Sequence, residues 1–323
     1  MFTLSTINSV TLNNNKKTRV TINPTMSMPY NLQYRVPSIH NTIATSTLGQ
    51  YVSFCASGCI YSSSDYGATF SLNSFNLVFS SIAMSSSGQY QVCTTYGVPS
   101  VAICMSSNYG ATWTIRRNVG YHDARYIEQC VISPSGQYVF ACGGGQAGSR
   151  NFSSSDYGVN WTEFGGILLR SFCSMNDDKV FFYSDYDQGI YYVLLSAPTL
   201  TETFYRAGNF QGSTQKIYCN SFSSFFVTVH RDQNLLAVST DSGVTFQNRS
   251  TPLLHKFQIV GSIFYGASNT QIYKSTDYGV TWTIIYTIQA GKTIRSMSAN
   301  NTYIFMVYLS GEVVVYKLTG GKV

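Results

Sequence analysis

One phrase returns five times along this chain: YSSSDYGATF at 61–70, CMSSNYGATWT at 104–114, FSSSDYGVNWT at 152–162, VSTDSGVTF at 238–246 and YKSTDYGVTWT at 273–283. An acid, a glycine and a hydroxyl at fixed offsets are the chemistry of a tight corner. The carboxylate accepts N–H groups of its own turn, and glycine takes a positive φ that other residues resist. The acid positions are Asp65, Asp156, Asp241 and Asp277, with Asn108 in the fifth box. The glycines are Gly67, Gly110, Gly158, Gly243 and Gly279. Thr69, Thr112, Thr245 and Thr281 can close the turn through their hydroxyls, and Phe70, Trp113, Trp161, Phe246 and Trp282 can wedge between neighbouring units. A corner tolerates Asn108 where a catalytic carboxylate would not, so the five boxes predict five structural corners.

The unit around each box is best seen at 80–117, SSIAMSSSGQYQVCTTYGVPSVAICMSSNYGATWTIRR. It parses into four short β-runs separated by turns, with the box between the third and fourth. About 40 residues carrying four antiparallel strands make a propeller blade, and such blades must stack around an axis to cover both sheet faces. Positions 65, 108, 156, 241 and 277 are separated by 43, 48, 85 and 36 residues, so a degenerate unit without its Asp and Gly is expected between about 169 and 210. The last unit has three strands and then ends. KTRVTINP at 17–24, β-branched and alternating, is the best donor of a closing strand, with a basic docking arm as its other reading. The expected fold is all-β: a seven-bladed β-propeller of four-stranded antiparallel blades closed by a terminal strand, six blades being the alternative. Residues 1–35 form an N-terminal arm and 36–323 a single propeller.

Composition agrees. Only 11% of the 323 residues are charged, 25 are tyrosine and 44% are hydrophobic, which suits strands and a packed core. Four cations, Lys16, Lys17, Arg19 and Arg35, stand in the first 35 residues without an acid and account for most of the +6 net charge. The rest is nearly neutral and shows no basic stripe, which argues against specific nucleic-acid binding. No secretory signal and no apolar run of about 20 residues is visible, predicting a soluble chain without membrane insertion. Three of the eight cysteines, Cys55, Cys93 and Cys142, recur at one repeat position, so they are expected to be reduced, buried and apart. No Cys or His spacing suggests zinc, and no metal or other cofactor is expected.

Chemistry would then lie on the side away from the corners, at the mouth of the axial channel. Connections between units bring Arg117, Tyr121, His122, Asp123, Arg125, Arg206, Arg249 and His255 toward it. Loops within units bring Tyr96, Arg150, Asp185, Asp187, His230 and Arg231. HRDQN at 230–234 lacks the other parts of a kinase site, and GGGQAGSR at 143–150 lacks the Gly-Lys-Ser/Thr of a phosphate loop. The two acids of DYDQG at 185–189 are fewer than calcium usually takes.

The box resembles the Asp-box, or BNR-type repeat, of sialidases, sortilin-type receptors, xyloglucanases and other propellers, over most of the chain from about Pro37 onward. That resemblance implies a propeller whose boxes sit at the blade rim, away from any active centre. YRVPSI at 34–39 resembles the Tyr/Phe-Arg-Ile-Pro motif of sialidases, in which Arg35 would hold a sialic acid carboxylate. The sequence departs from that pattern: no Asp lies between Arg35 and the first box, so a retaining glycosidase lacks its acid. The low charge and loose Ser-Gly-Gln-Tyr repeats resemble structural proteins of large DNA viruses and phages, implying a virion or capsid-associated role with assembly in the cytoplasm. The expected function is a non-catalytic structural or binding module for a protein or glycan partner. A sialidase-like hydrolase using Arg35 and the mouth arginines is the alternative.

Overall fold

The structure is a computed structural model, in which residues 10–13, 17–20, 43–56, 58–96, 101–119, 126–145, 148–165, 169–174, 179–184, 189–194, 205–206, 214–219, 226–230, 234–241, 244–308 and 313–318 are described. Their regular elements are all β-strands, arranged in seven antiparallel sheets. The chain is an all-β propeller. Sheet 1 runs through Ile43–Thr45, Val52–Ala56, Cys59–Ser63 and Ser71–Ser74, each strand pairing with the next. Sheet 2 repeats this with Phe79–Met84, Gln91–Thr95, Ala102–Ser106 and Thr114–Asn118. Sheets 3 to 6 follow the same order within 126–165, 169–206, 214–250 and 256–287.

The degenerate unit keeps its three long strands, but its fourth is reduced to Tyr205–Arg206. Sheet 7 combines Ile294–Ala299, Tyr303–Tyr308 and Val313–Lys317 with the N-terminal strand Lys17–Val20. Lys17 lies opposite Tyr316 and Val20 opposite Val313. A fifth strand, Val10–Asn13, pairs outside it, an addition that the sequence reading lacked. In each intact unit the fourth strand begins after the box aromatic, so Trp113 belongs to the corner and not to the strand.

Middle strands are buried on both faces because neighbouring sheets cover them, and their polar members, such as Gln91, Thr94 and Thr95, are buried with the apolar ones. Gln91–Thr95 and Ala102–Ser106 are buried at every position, whereas Ser71–Ser74 and Gln247–Ser250 are mostly exposed. The core therefore lies between sheets. Phe54 and Ile43 of sheet 1 pack on Phe305, Val307 and Val315 of sheet 7, and Leu236 and Val238 of sheet 5 pack on Phe257 and Phe264 of sheet 6. Each such buried side chain contributes about 1.5–3 kcal/mol. Near the axis, first strands touch directly: Thr45 Oγ1 lies 3.0 Å from Ser298 Oγ, Ser80 Oγ donates to the Ile127 carbonyl, and Gln258 Nε2 donates to the Met297 carbonyl at 3.1 Å.

The cysteines correct one expectation. Cys55, Cys93, Cys104, Cys130 and Cys142 are buried and free, but the equivalent Cys55 and Cys93 do not stay apart. Burial pushes the Cys93 thiol well up, and both Cys104, its cross-strand partner, and Cys55 interact with it. Adjacent sheets face one another closely enough that equivalent second strands bring such side chains together. Burial also raises Cys142, and Cys130 is pushed up to about 12, so these thiols are poor nucleophiles.

Candidate binding face

The boxes build one rim of the propeller. In the first, the Ser63 hydroxyl donates to Asp65 Oδ1 at 2.7 Å and accepts the Gly67 N–H at 2.9 Å. Asp65 also accepts the Thr69 N–H at 2.8 Å and its hydroxyl at 2.5 Å. The same bonds recur around Asp277 with Ser275, Gly279 and Thr281, and Asp241 holds Ser239 and Thr245 likewise. Around Asp156, Asn160 does the work of threonine through its N–H and its amide. At Asn108 one bond reverses: its Oδ1 still accepts the Thr112 N–H at 3.0 Å, while its Nδ2 donates to the Thr112 hydroxyl at 2.9 Å.

These bonds change the acids. Burial pushes the Asp65 and Asp156 carboxyls up, but the turn's hydrogen bonds outweigh it and leave both below the usual range. Asp241 and Asp277 are held at about 2, chiefly by the hydroxyls of Thr245 and Thr281. Gly67, Gly110, Gly158 and Gly279 take φ between 76° and 86°, and Gly243 lies outside the described residues. The tyrosine before each of those four, Tyr66, Tyr109, Tyr157 and Tyr278, is also left-handed, a strain that the sequence reading did not foresee. Stacking partly explains it: Tyr109 lies 4.5 Å from Tyr51, and Tyr157 4.6 Å from Tyr90, each a ring of the preceding sheet. Trp113 is buried and reaches Ser62 Oγ of sheet 1, Trp161 packs on the core of sheets 2 and 3, and Trp282 packs against Phe257.

The N–H groups of Tyr66, Tyr109 and Tyr157 donate to the carbonyls of Gln50, Gln89 and Gln137, in the turns between first and second strands. Corners and first turns thus share one rim, and first strands begin at the other. That other rim is where the mouth residues were expected. Tyr96 lies there, at the end of the second strand of sheet 2, its N–H donating to the Val78 carbonyl at 2.6 Å. The backbones of Arg150, Arg206 and His230 lie in strands, opposite Gly143, Tyr191 and Thr214. Tyr121, His122, Asp123, Arg125, Asp185, Asp187 and Arg231, like Arg35, lie outside the described residues.

Two arginines are placed elsewhere. Arg117 sits in an outer strand, its guanidinium 3.7 Å from the Glu163 carboxylate and 5.8 Å above the Phe152 ring, joining sheet 2 to sheet 3. Arg249 donates to the carbonyls of Asp277 and Tyr278 and so braces the next sheet's corner. Both belong to fourth strands, which spread away from the axis, and so they bridge outer edges.

The structure reveals instead a feature of the first strands. In sheets 2, 3, 4, 5 and 7 the ladder slips by one residue near the strand's start, at Ser80, Glu128, Arg170, Gln215 and Arg295. Such bulges re-aim a residue out of the ladder. In sheet 6, Lys256 opens the strand, with the N–H of His255 and the pairing of Lys256 both directed at Ala267. Lys256 and Arg295 are half-buried. Burial first, and then the Arg295 charge, lowers the Lys256 pKa, and burial lowers that of Arg295. Lys292, just before sheet 7, holds its ammonium 5.9 Å from the Tyr308 ring centre. The visible sequence signal is that Asp277 is the only carboxylate in 251–308, and it stands on the opposite rim.

Among the described residues no group of three or more His, Cys, Asp or Glu side chains converges as metal ligands, and no helix is long and apolar enough to cross a membrane. No protein-family model and no curated protein matches the chain. Solved structures do. YCF48 from Cyanidioschyzon merolae superimposes with a TM-score of 0.59 at 12% identity, over 85% of this chain and 94% of that one. YCF48 bound to D1 peptide gives 0.62 at 11% identity, over 87% and 93%. At such identities the likeness is one of fold.

Proposed function

We propose that this chain is a non-catalytic propeller that binds a protein partner through the rim opposite its corners. The corners are read as Asp-box turns of the BNR type. One observation carries the proposal: each described box carboxylate is saturated by its own turn, one per sheet around a rim, and so is engaged in architecture. A two-carboxylate hydrolase needs its acids face to face within about 5–10 Å, and these stand in separate sheets. The opposite rim carries the half-buried cations Lys256 and Arg295, with Lys292 over the Tyr308 ring, and arginine and aromatic side chains are residue types that partners use. A neighbour in fold is described as bound to a peptide, which supports a protein partner over a glycan. The repeat style favours a virion or capsid-associated setting.

The test is affinity capture with the purified chain and its variants. Retention of a partner by wild type and by Asp65→Asn, but not by Arg295→Gln, is the expected result. Retention on a glycan array without a protein partner would move the reading to a lectin. Turnover of a fluorogenic sialoside, abolished by Arg35→Ala, would replace it with the hydrolase.

A further inference from the structure

We propose that the N-terminal hairpin is an exchangeable arm, and that the edge of sheet 7 which it covers takes the same hairpin from a second copy of this chain. This goes beyond the partner reading and does not depend on it, because it concerns the outer edge of sheet 7 and not a rim.

The hairpin consists of Val10–Asn13 and Lys17–Val20, with Val10 opposite Val20 and Asn13 opposite Lys17. Among the described residues, its strand pairing with the ring is one four-residue ladder, Lys17–Val20 against 313–316. The other six sheets take their fourth strand from the chain that directly follows the third. Sheet 7 takes its own from the far end of the sequence, so a strand of either of two copies can fill this position.

The connection is longer than a clasp on the chain's own ring requires. Val20 ends the fourth strand of sheet 7, and Ile43 opens the first strand of sheet 1. The same step, from an outer strand to the next sheet's inner strand, is made elsewhere through 75–78, 119–125, 166–168, 207–213, 251–255 and 288–293. Three to seven residues suffice there, whereas 21–42 supplies 22. The surplus of about 15 residues reaches about 50 Å when extended, roughly the width of a compact chain of this size. Closing one ring uses none of that length, and reaching sheet 7 of a neighbouring copy does.

The acceptor edge is held in place without the hairpin. Val315 packs with Ile43 and Phe54 of sheet 1, Val314 packs with Ile288 and Ile294 where sheets 6 and 7 meet, and the Tyr316 hydroxyl donates to the Ile285 carbonyl at 3.3 Å. Val313–Lys317 is thus anchored by both neighbouring sheets. Withdrawing Lys17–Val20 would bare a row of N–H and C=O groups, which is a template for another strand. An identical hairpin restores every ladder bond, so exchange between copies costs little. A chain's own hairpin acts at an effective concentration on the order of millimolar, so exchange competes once the protein approaches that range.

Light scattering on the full chain after gel filtration tests this. Wild type is expected to be monomeric after incubation at about 10 μM and to form dimers at about 1 mM. Thr18 and Val315 lie directly opposite each other in the closing ladder. A Thr18→Cys and Val315→Cys double variant, oxidised, ties each hairpin to its own ring and should lower the dimer fraction at least about tenfold, and a reductant should restore it. Mixing the two single variants at the higher concentration should yield a disulfide between positions 18 and 315 of different copies, located by peptide mapping. If Val315→Cys does not fold, Lys17→Cys with Tyr316→Cys, also directly opposite, gives the same readouts. A wild type that stays monomeric, an equal dimer fraction with the hairpin tied down, or a linkage that forms within single chains alone overturns the proposal. Partner capture by the tied-down variant would leave the binding-module reading standing, so the two failures are distinguishable.

Discussion

The two rims of this propeller are built from the same strands but treat charge in opposite ways. On the corner rim the acids stand near the surface, and each is neutralised locally by N–H and hydroxyl donors from within five residues. On the other rim Lys256 and Arg295 are half-buried on the first strands of sheets 6 and 7, where burial lowers the pKa of both and the Arg295 charge lowers that of Lys256 further. Local chemistry that satisfies itself is the mark of architecture. Charge held at a cost by the tertiary fold is the mark of a site, because such strain survives only where the rest of the structure over-determines it. The difference teaches where to look: a repeated residue type says little about function here, and an unrepeated one in a repeated position says more.

The largest test of this contrast uses glycine. Gly110, at a corner, has φ +81°, and a Cβ there would stand 2.9 Å from the Ser62 Cβ of the preceding sheet. That neighbour is anchored to its own backbone and cannot swing away. Gly110→Ala is expected to destabilise by about 2–4 kcal/mol, from left-handed strain plus overpacking. Gly291, in the connection leading to sheet 7, has φ +79° with nothing within 4 Å of the added carbon. Gly291→Ala should cost only about 1 kcal/mol. Urea unfolding of both variants checks the pair. Equal losses would mean that corners are not where sheets interlock, and the contrast between the rims would fail on its mechanical side.

The same contrast explains what the sequence disclosed. Corners were legible because Ser, Asp, Gly and Thr lie within seven residues, so their bonds follow from spacing alone. The closing strand at Lys17–Val20 was legible from a three-stranded last unit and a period-two donor. Val10–Asn13 was not, since nothing in VTLN separates a fifth strand from a tail. Arg117 and Arg249 looked like connection residues because they follow the boxes closely, whereas the fourth strands run on through them to Asn118 and Ser250. Lys256 and Arg295 were not singled out: each is one cation in a first strand, and the adjacency of those two strands follows from the stacking of sheets 6 and 7. The thiols of Cys55 and Cys93 were misjudged for the same reason, as a contact between sheets has no signature within either one.

A smaller effect comes from the acids. Asp65→Ala removes the acceptor for the Thr69 N–H, the Thr69 hydroxyl and the Ser63 hydroxyl, and is expected to cost about 1–2 kcal/mol. Asp65→Asn should cost less than half of that, since Asn108 already holds an equivalent corner. The carboxyls of Asp241 and Asp277 add a pH signature. Their folded pKa of about 2 lies below the unfolded value of about 3.9, so their contribution is fully present above pH 4 and is lost as pH falls toward 2. Thermal melts across that window should fall more shallowly in a Thr245→Val and Thr281→Val double variant, which removes the hydroxyls that hold the two acids down. An unchanged slope would show that the corners do not carry the acid sensitivity.

The smallest expected effect is also the sharpest between architecture and function on the corner rim. Tyr109 is 40% exposed and left-handed, which costs about 1–2 kcal/mol for a side chain of its size. Its stack on Tyr51 returns about 0.5–1.5 kcal/mol. Tyr109→Asn gives up the ring but relieves the backbone, since asparagine tolerates this conformation best after glycine, so the two terms nearly cancel. The unfolding free energy should shift by less than about 1 kcal/mol in either direction. A clearly larger loss would mean that the tyrosine ladder locks neighbouring sheets together, and that the strain belongs to the fold. A clear gain in stability would leave the strained rings at Tyr66, Tyr109 and Tyr157 without a folding purpose, and the corner rim would then need a ligand of its own, which is the outcome that would erase the difference between the two rims.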